Sequence, residues 1–210
     1  MKSEDERMFL EWSRTKEHKK RVRDAKKKAN EKLKLYNKPY IAFSGGKDSI
    51  AMTHILLQKE NMKIYHCCGG LNIPKHVKRE IRCILDFLGA KDVDWVDGNG
   101  WSWIYRNYVG VYDCCFLGLR KEEGVKRRQR ILQNNWLTDI AEVWILEDWS
   151  YKDVWAYLLS NRIPYPSTYD IYSQCVDLKT LRFHSFFEKE NDIFGNSNLD
   201  KFFLWRYAND

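Results

Sequence analysis

The 210-residue chain has no apolar run of about 18 residues, so no segment is expected to cross a membrane as a helix. Its first residues, Met-Lys-Ser-Glu-Asp-Glu-Arg, lack an apolar signal core, and a cytoplasmic location is expected. C-x-x-C is absent. The six cysteines stand as Cys67-Cys68, Cys83, Cys114-Cys115 and Cys175, which reads as reduced thiols rather than a secreted disulfide framework. Net charge is missing from most of the chain. Residues 1–40 hold 14 Lys or Arg against 7 Asp or Glu, an excess of 7 that equals the whole formal charge of +7. The rest is neutral, which excludes a generally basic body and confines any pull on polyanions to the N-terminus. The common nucleotide loop G-x-x-x-x-G-K-S/T is also missing. Ile41 stands where its first glycine belongs, and Asp48 where Ser or Thr should follow the lysine.

What is present centres on Ile41-Ala42-Phe43-Ser44-Gly45-Gly46-Lys47-Asp48-Ser49. Tyr40 to Phe43 is a short β-prone run, and Met52, Ile55 and Leu56 recur at helical spacing, so the glycines fall at a strand-to-helix junction. There the free N–H groups of the first helical turn and the positive end of the helix dipole favour an anion. Gly45 and Gly46 let the backbone come close, Ser44 and Ser49 add hydroxyls, and Lys47 adds a charge. Asp48 either holds Mg²⁺ or caps the helix.

Along the chain, Val22, Ala25, Ala29, Leu33 and Tyr36 make one narrow apolar stripe among lysines and arginines, which predicts a single basic helix from Arg14 to Tyr36. Such a helix serves to meet nucleic acid or a partner protein, to attract an anionic substrate by its field, or as the solvated face of a helix docked on the sheet edge. Strands are expected at Lys63 to Cys68, Asp92 to Val96, Val109 to Leu117 and Glu142 to Leu146, with helices between them. The alternation implies right-handed crossovers, a doubly wound, mostly parallel α/β sheet with helices on both faces, and ligands at its carboxyl edge. Ser150 and Asp153 have capping-box spacing. Nine Trp and twelve Tyr are core or interface material before they are stacking platforms. The expected organisation is a helical extension over 1–37, a nucleotide-binding domain over 38–178, and a tail over 179–210 packing on that domain.

The run Ser-Gly-Gly-Lys-Asp-Ser resembles the PP-loop of the ATP pyrophosphatases and of the phosphoadenosine phosphosulfate (PAPS) reductase family. Three later segments carry the resemblance in family order. Cys68-Gly69-Gly70-Leu71-Asn72-Ile73-Pro74-Lys75 is similar to the family's turn after its second strand, and implies Gly69 and Gly70 beside the nucleotide. Gly118-Leu119-Arg120-Lys121-Glu122-Glu123 is similar to Gly-x-Arg-x-x-Glu, and implies that Arg120 faces phosphates. Trp149 to Tyr157 resembles the Trp-x-x-x-Asp-Val-Trp-x-Tyr segment shared with the small subunit of sulfate adenylyltransferase, and Ile163 to Asp170 continues it.

The resemblance implies an adenine nucleotide α-hydrolase-like fold and an enzyme that binds ATP, or PAPS, and cleaves ATP between its α and β phosphates to adenylate an acceptor. Ser44, Gly45, Gly46 and Ser49 would hold pyrophosphate, Lys47 and Arg120 would neutralise charge in the transition state, and Asp48 would bind Mg²⁺. The chain departs from the reductases in having no cysteine after Cys175, where they carry a Glu-Cys-Gly-x-His segment. Reduction would then need a thiol from a partner or from Cys175. An iron–sulfur cluster is not expected, because Cys114 and Cys115 are neighbours in a strand, where side chains alternate, and the second cysteine pair is missing. Two further readings stay open: a nucleic-acid-associated modification factor working through the basic helix, and a catalytically inert nucleotide-binding subunit.

Overall fold

The computed structural model describes residues 1–67, 73–97 and 99–183. Five strands form one wholly parallel sheet: β1 (Pro39–Ala42), β2 (Lys63–Cys67), β3 (Asp92–Val96), β4 (Cys114–Leu117) and β5 (Ala141–Val143). Their order is β3-β2-β1-β4-β5, with Ile41 opposite both Ile64 and Phe116. From β1 the chain winds outward to β3, then returns past β1 to build β4 and β5. The switch point of the sheet therefore lies between β1 and β4, and ligand sites of doubly wound sheets open at that point.

Alternation along the strands sorts two cores. Ile41, Phe43, Ile64, Cys114, Phe116 and Val143 face a large core with α3 (Lys47–Leu57), α4 (Lys75–Phe87) and α7 (Tyr151–Ser160). Tyr40, Tyr65, Val96 and Cys115 face the other way, onto Ile104 of α5 (Gly100–Asn107) and onto Tyr108. Helices thus cover both faces, and Cys114 and Cys115 point to opposite sides, as strand geometry demands.

The helix expected over Arg14 to Tyr36 is present, and a further helix not expected from the sequence precedes it. The two are α1 (Ser3–Arg14) and α2 (Lys16–Leu35), parted at Thr15, whose side chain accepts a hydrogen bond from the His18 amide at 3.2 Å. α1 was not legible because its apolar positions are few; it is held by tertiary packing, with Phe9 stacked on Trp155 at 6.3 Å and edge-on to Tyr151 at 6.2 Å. Phe9, Ala25 and Ala29 are all buried in the large core, so both helices are part of the body. The fourth strand is shorter than the expected Val109 to Leu117. The stretch before it turns at Gly110 (φ +81°) and folds its tyrosines into a ring cluster, Tyr40–Tyr108 at 4.6 Å and Tyr108–Tyr112 at 4.4 Å. The aromatic segment from Trp101 is α5, capped by Asn99, whose Oδ1 accepts from the amides of Trp101 and Ser102. β5 covers Ala141–Val143 rather than Glu142 to Leu146. A 3₁₀ turn (Lys121–Glu123), α6 (Val125–Leu132) and α8 (Thr168–Tyr172) complete the described elements. No helix among the described residues is long and apolar enough to cross a membrane.

Candidate functional site

β1 delivers the Ser44–Ser49 loop to the carboxyl edge of the sheet. Phe43 extends the ladder through its amide to the Tyr65 carbonyl (2.8 Å), and Gly45 then turns at φ +81°, a conformation that disfavours a side chain. α3 begins at once, so Lys47, Asp48 and Ser49 form its first turn. The loop is knitted together by its own hydroxyls. Ser44 Oγ accepts from the Gly46 amide at 3.3 Å and donates to Ser49 Oγ at 3.1 Å, while Ser49 Oγ donates to the Gly46 carbonyl at 2.8 Å.

The neighbouring strand β4 brings Arg120 to the same place. The turn can come this close because residue 118 is glycine: a Cβ there would lie 2.9 Å from the Ser49 amide nitrogen and 3.0 Å from the Asp48 carbonyl carbon. Arg120 Nε donates to Asp48, Nη1 donates to Glu122 at 2.8 Å, and the Arg120 amide donates to Glu123 at 3.0 Å. The Gly-x-Arg-x-x-Glu turn thus has a structural reading in which glycine admits the turn, arginine crosses to α3, and the last glutamate fixes the arginine backbone.

Lys47 and Arg120 are only 1% and 2% exposed, so neither cation faces open solvent. Lys47 Nζ donates to the Leu181 carbonyl at 2.6 Å, lies 3.4 Å from Asp48 Oδ2, and sits 5.5 Å from the centre of the Tyr169 ring. The Lys47 amide, a first-turn N–H of the kind that would bind an anion, donates to Tyr169 Oη at 3.1 Å. Phe183 closes over the glycines: a Cβ on Gly46 would meet its Cβ at 3.2 Å. Burial pulls the Lys47 ammonium below the usual lysine value, against the opposing field of Asp48. Burial would raise the Asp48 carboxyl, but the Arg120 guanidinium and the Lys47 ammonium outweigh it and hold the group below its ordinary value. Arg120 is shifted up, because Asp48, Glu123 and Glu122 outweigh the cost of burying it. The result is a dry cluster of opposed charges at the switch point, able to hold an anionic group once its internal partners give way.

Of the residues singled out from the sequence, Ser44, Gly45, Gly46, Lys47, Asp48, Ser49 and Arg120 come together. Gly69 and Gly70 lie outside the described residues. Both oxygens of Asp48 are engaged by cations, and no group of three His, Cys, Asp or Glu side chains among the described residues could hold a metal. Sequence reasoning missed Gly118, Glu122, Glu123, Tyr169, Leu181 and Phe183. The first three stand in the turn that carries Arg120, and Tyr169 in the Pro-containing segment after α7; nothing in the sequence pointed to Leu181 or Phe183. Among the described cysteines, Cys114 and Cys115 are buried in β4, and burial pushes the Cys115 thiol up to about 12 and the Cys114 thiol higher still. Cys83 and Cys175 are exposed.

Residues 101–174 match the family model of the phosphoadenosine phosphosulfate reductase domain, a span that includes Arg120 and Tyr169 but not the Ser44–Ser49 loop. No curated protein sequence matches the chain. Among solved structures, the phosphoadenylyl-sulfate (PAPS) reductase from Candida auris, in a phosphate complex, is similar with a TM-score of 0.53 at 11% identity, over 70% of this chain and 84% of that one. At that identity the likeness is one of fold. The family model thus matches the segment from α5 to α8, and the solved structure shares the α/β fold.

Proposed function

We propose that the chain is an adenine-nucleotide enzyme that seats the nucleotide's phosphates on the Ser44–Ser49 loop, cleaves between the α and β phosphates, and passes adenylate to an anionic acceptor. The observation that carries this reading is the meeting of Lys47 and Arg120, two buried cations from loops leaving adjacent strands, on Asp48 at the N-terminus of α3. Phosphate oxygens would take the Lys47 ammonium from the Leu181 carbonyl and the Lys47 amide from Tyr169. The Leu178–Phe183 stretch and Tyr169 therefore have to shift when nucleotide enters. Lys47 and Arg120 then stand where charge grows on the departing pyrophosphate, and in a water-poor site a fixed cation stabilises that charge strongly. An acceptor that is already an anion needs no general base.

Asp48 does not fit a resident Mg²⁺, since Arg120 and Lys47 occupy its oxygens. Its part in this reading is to hold Arg120 in place. A magnesium ion accompanying ATP has its ligands on the nucleotide's own phosphates.

A second reading, binding and reduction of a sulfonucleotide, is favoured by the family-model match over residues 101–174. It needs a thiol from a partner or from exposed Cys175, because Cys114 and Cys115 are sealed in the sheet. The test incubates purified protein with Mg²⁺ and α-labelled ATP, scores pyrophosphate and AMP, and runs a PAPS titration in parallel. Lys47→Met, which keeps most of the side-chain volume, serves as the control. Expected is pyrophosphate release that falls about 10²–10³-fold in the variant. Tight PAPS binding without ATP turnover would move the chain to the sulfonucleotide reading, and failure to bind either nucleotide would refute both.

A further inference from the structure

The excess positive charge of this protein sits on one helix: α2 carries ten Lys or Arg against three Asp or Glu. α2 carries its buried side chains, His18, Ala25 and Ala29, toward the body. At 100° per residue the opposite face presents Lys16, Lys19, Lys20, Arg23, Lys27 and Lys34, all exposed, with half-buried Lys26 beside them. The three acids of α2 lie to one side of this face: Glu17 pairs with Arg21 at 2.6 Å, Glu31 reaches only Lys27, at 3.8 Å, and exposed Asp24 has no ion pair among the described residues. Among the described residues no carboxylate pairs with Lys16, Lys19, Lys20, Arg23 or Lys34. The spacing is costly within the helix, since Lys16–Lys20, Lys19–Arg23 and Arg23–Lys27 are like charges four residues apart. None of them pairs with the body of the protein among the described residues, whereas on the inner side of α2 Arg21 pairs with Asp153 and Lys28 with Glu147.

We propose that the outward face of α2 docks the phosphate backbone of a nucleic-acid duplex. From Lys16 to Lys34 the row runs about 27 Å, the length of about eight base pairs. Charge complementarity selects a polyanion. An anionic membrane is a poorer partner, because the apolar face of α2 is buried in the protein and cannot enter lipid. A single strand is also a poorer partner: α2 contains no Phe, Tyr or Trp on which bases could stack. The contacts are therefore to phosphates and carry no sequence preference.

The inner side of α2 reaches the site through one residue, Trp149. Trp149 Nε1 donates to the Arg21 carbonyl at 3.3 Å, and the Trp149 carbonyl accepts from Arg120 Nη1 at 3.5 Å. A duplex lying along α2 would have one end at the carboxyl edge of the sheet.

The test uses the full chain, a fluorescein-labelled 20-base-pair duplex of arbitrary sequence, and anisotropy titrations between 50 and 200 mM KCl. With five or six phosphates engaged, log K should fall with log salt at a slope of about −5. The triple variant Lys19→Gln, Arg23→Gln, Lys27→Gln alters only exposed side chains and should melt within about 2 °C of the wild type. Its slope should be shallower by about 3, and its affinity at 100 mM at least tenfold weaker. The proposal is overturned if the wild type ignores the duplex at 50 mM, if the triple variant keeps the wild-type slope, or if a single strand or vesicles with about a third phosphatidylserine bind more tightly than the duplex. None of these outcomes depends on ATP or PAPS handling.

Discussion

Asp153 is the carboxylate on which the N-terminal helices hang, and replacing it with alanine should cost about 3 kcal/mol. Its Oδ1 accepts from Trp12 Nε1 at 2.8 Å and from His18 Nδ1 at 3.1 Å; its Oδ2 accepts from the Ser150 amide at 2.7 Å, from Ser150 Oγ at 2.6 Å and from Arg21. The side chain is fully buried. Losing the capping contacts at the start of α7 costs about 1 kcal/mol. Leaving the Trp12 indole and the buried His18 ring without their acceptor adds roughly 1–3 kcal/mol. Arg21 adds least, since its side chain is 29% exposed and keeps Glu17.

For a chain of this size the loss corresponds to a fall in Tm of about 6–12 °C, read by calorimetry or urea unfolding. Protonation acts in the same sense. Burial would raise the Asp153 carboxyl, but the His18, Ser150 and Trp12 contacts hold it far below its ordinary value of 3.8. A depressed folded pKa contributes stability that is present above the unfolded value and lost as pH falls through the folded one. The gap between wild type and Asp153→Ala should therefore be widest above about pH 5 and narrow steadily below pH 4. A cost under 1 kcal/mol at pH 7, or a gap that does not narrow in acid, would refute the assignment.

Gly118→Ala should displace the Arg120 turn from α3, because the new methyl would press on backbone at 2.9 Å; the expected cost is about 1–3 kcal/mol with a weakened response to nucleotide, checked by thermal shift with and without ATP. In the native protein iodoacetamide should label Cys83 and Cys175 and spare Cys114 and Cys115, whose thiols burial keeps protonated; peptide mass spectrometry that finds Cys115 alkylated before unfolding would overturn the sealed strand.

The parallel sheet and the loop were legible because both are written in local pattern. A β-prone run, two glycines and a 3.6-residue apolar period place Ser44 to Ser49 at a strand-to-helix junction whatever else the chain does. Ser150 and Asp153 were readable as a cap for the same reason, and the capping box forms. What could not be read were the groups that meet only in the folded chain. Asp48 carries no mark in the sequence of being matched to Arg120, 72 residues later, and Lys47 none of being held by the Leu181 carbonyl. The same limit hid the second use of Asp153, as the anchor of Trp12, His18 and Arg21. α1 was missed because its four apolar residues, Met8, Phe9, Leu10 and Trp12, crowd together and make a weak stripe.

The bond from Trp12 to Asp153 spans 141 positions, and that from Arg21 spans 132. On a ribosome, α1 and α2 emerge more than a hundred residues before Asp153, so this anchor is made only after strands β1 to β5 have been synthesised. Phe9 is open to other surfaces through that interval, and the closure that covers it joins α1 to Tyr151 and Trp155 of α7. Contacts so distant in sequence are intrinsically slow to form, and until they do α1 is the segment a chaperone has longest to reach.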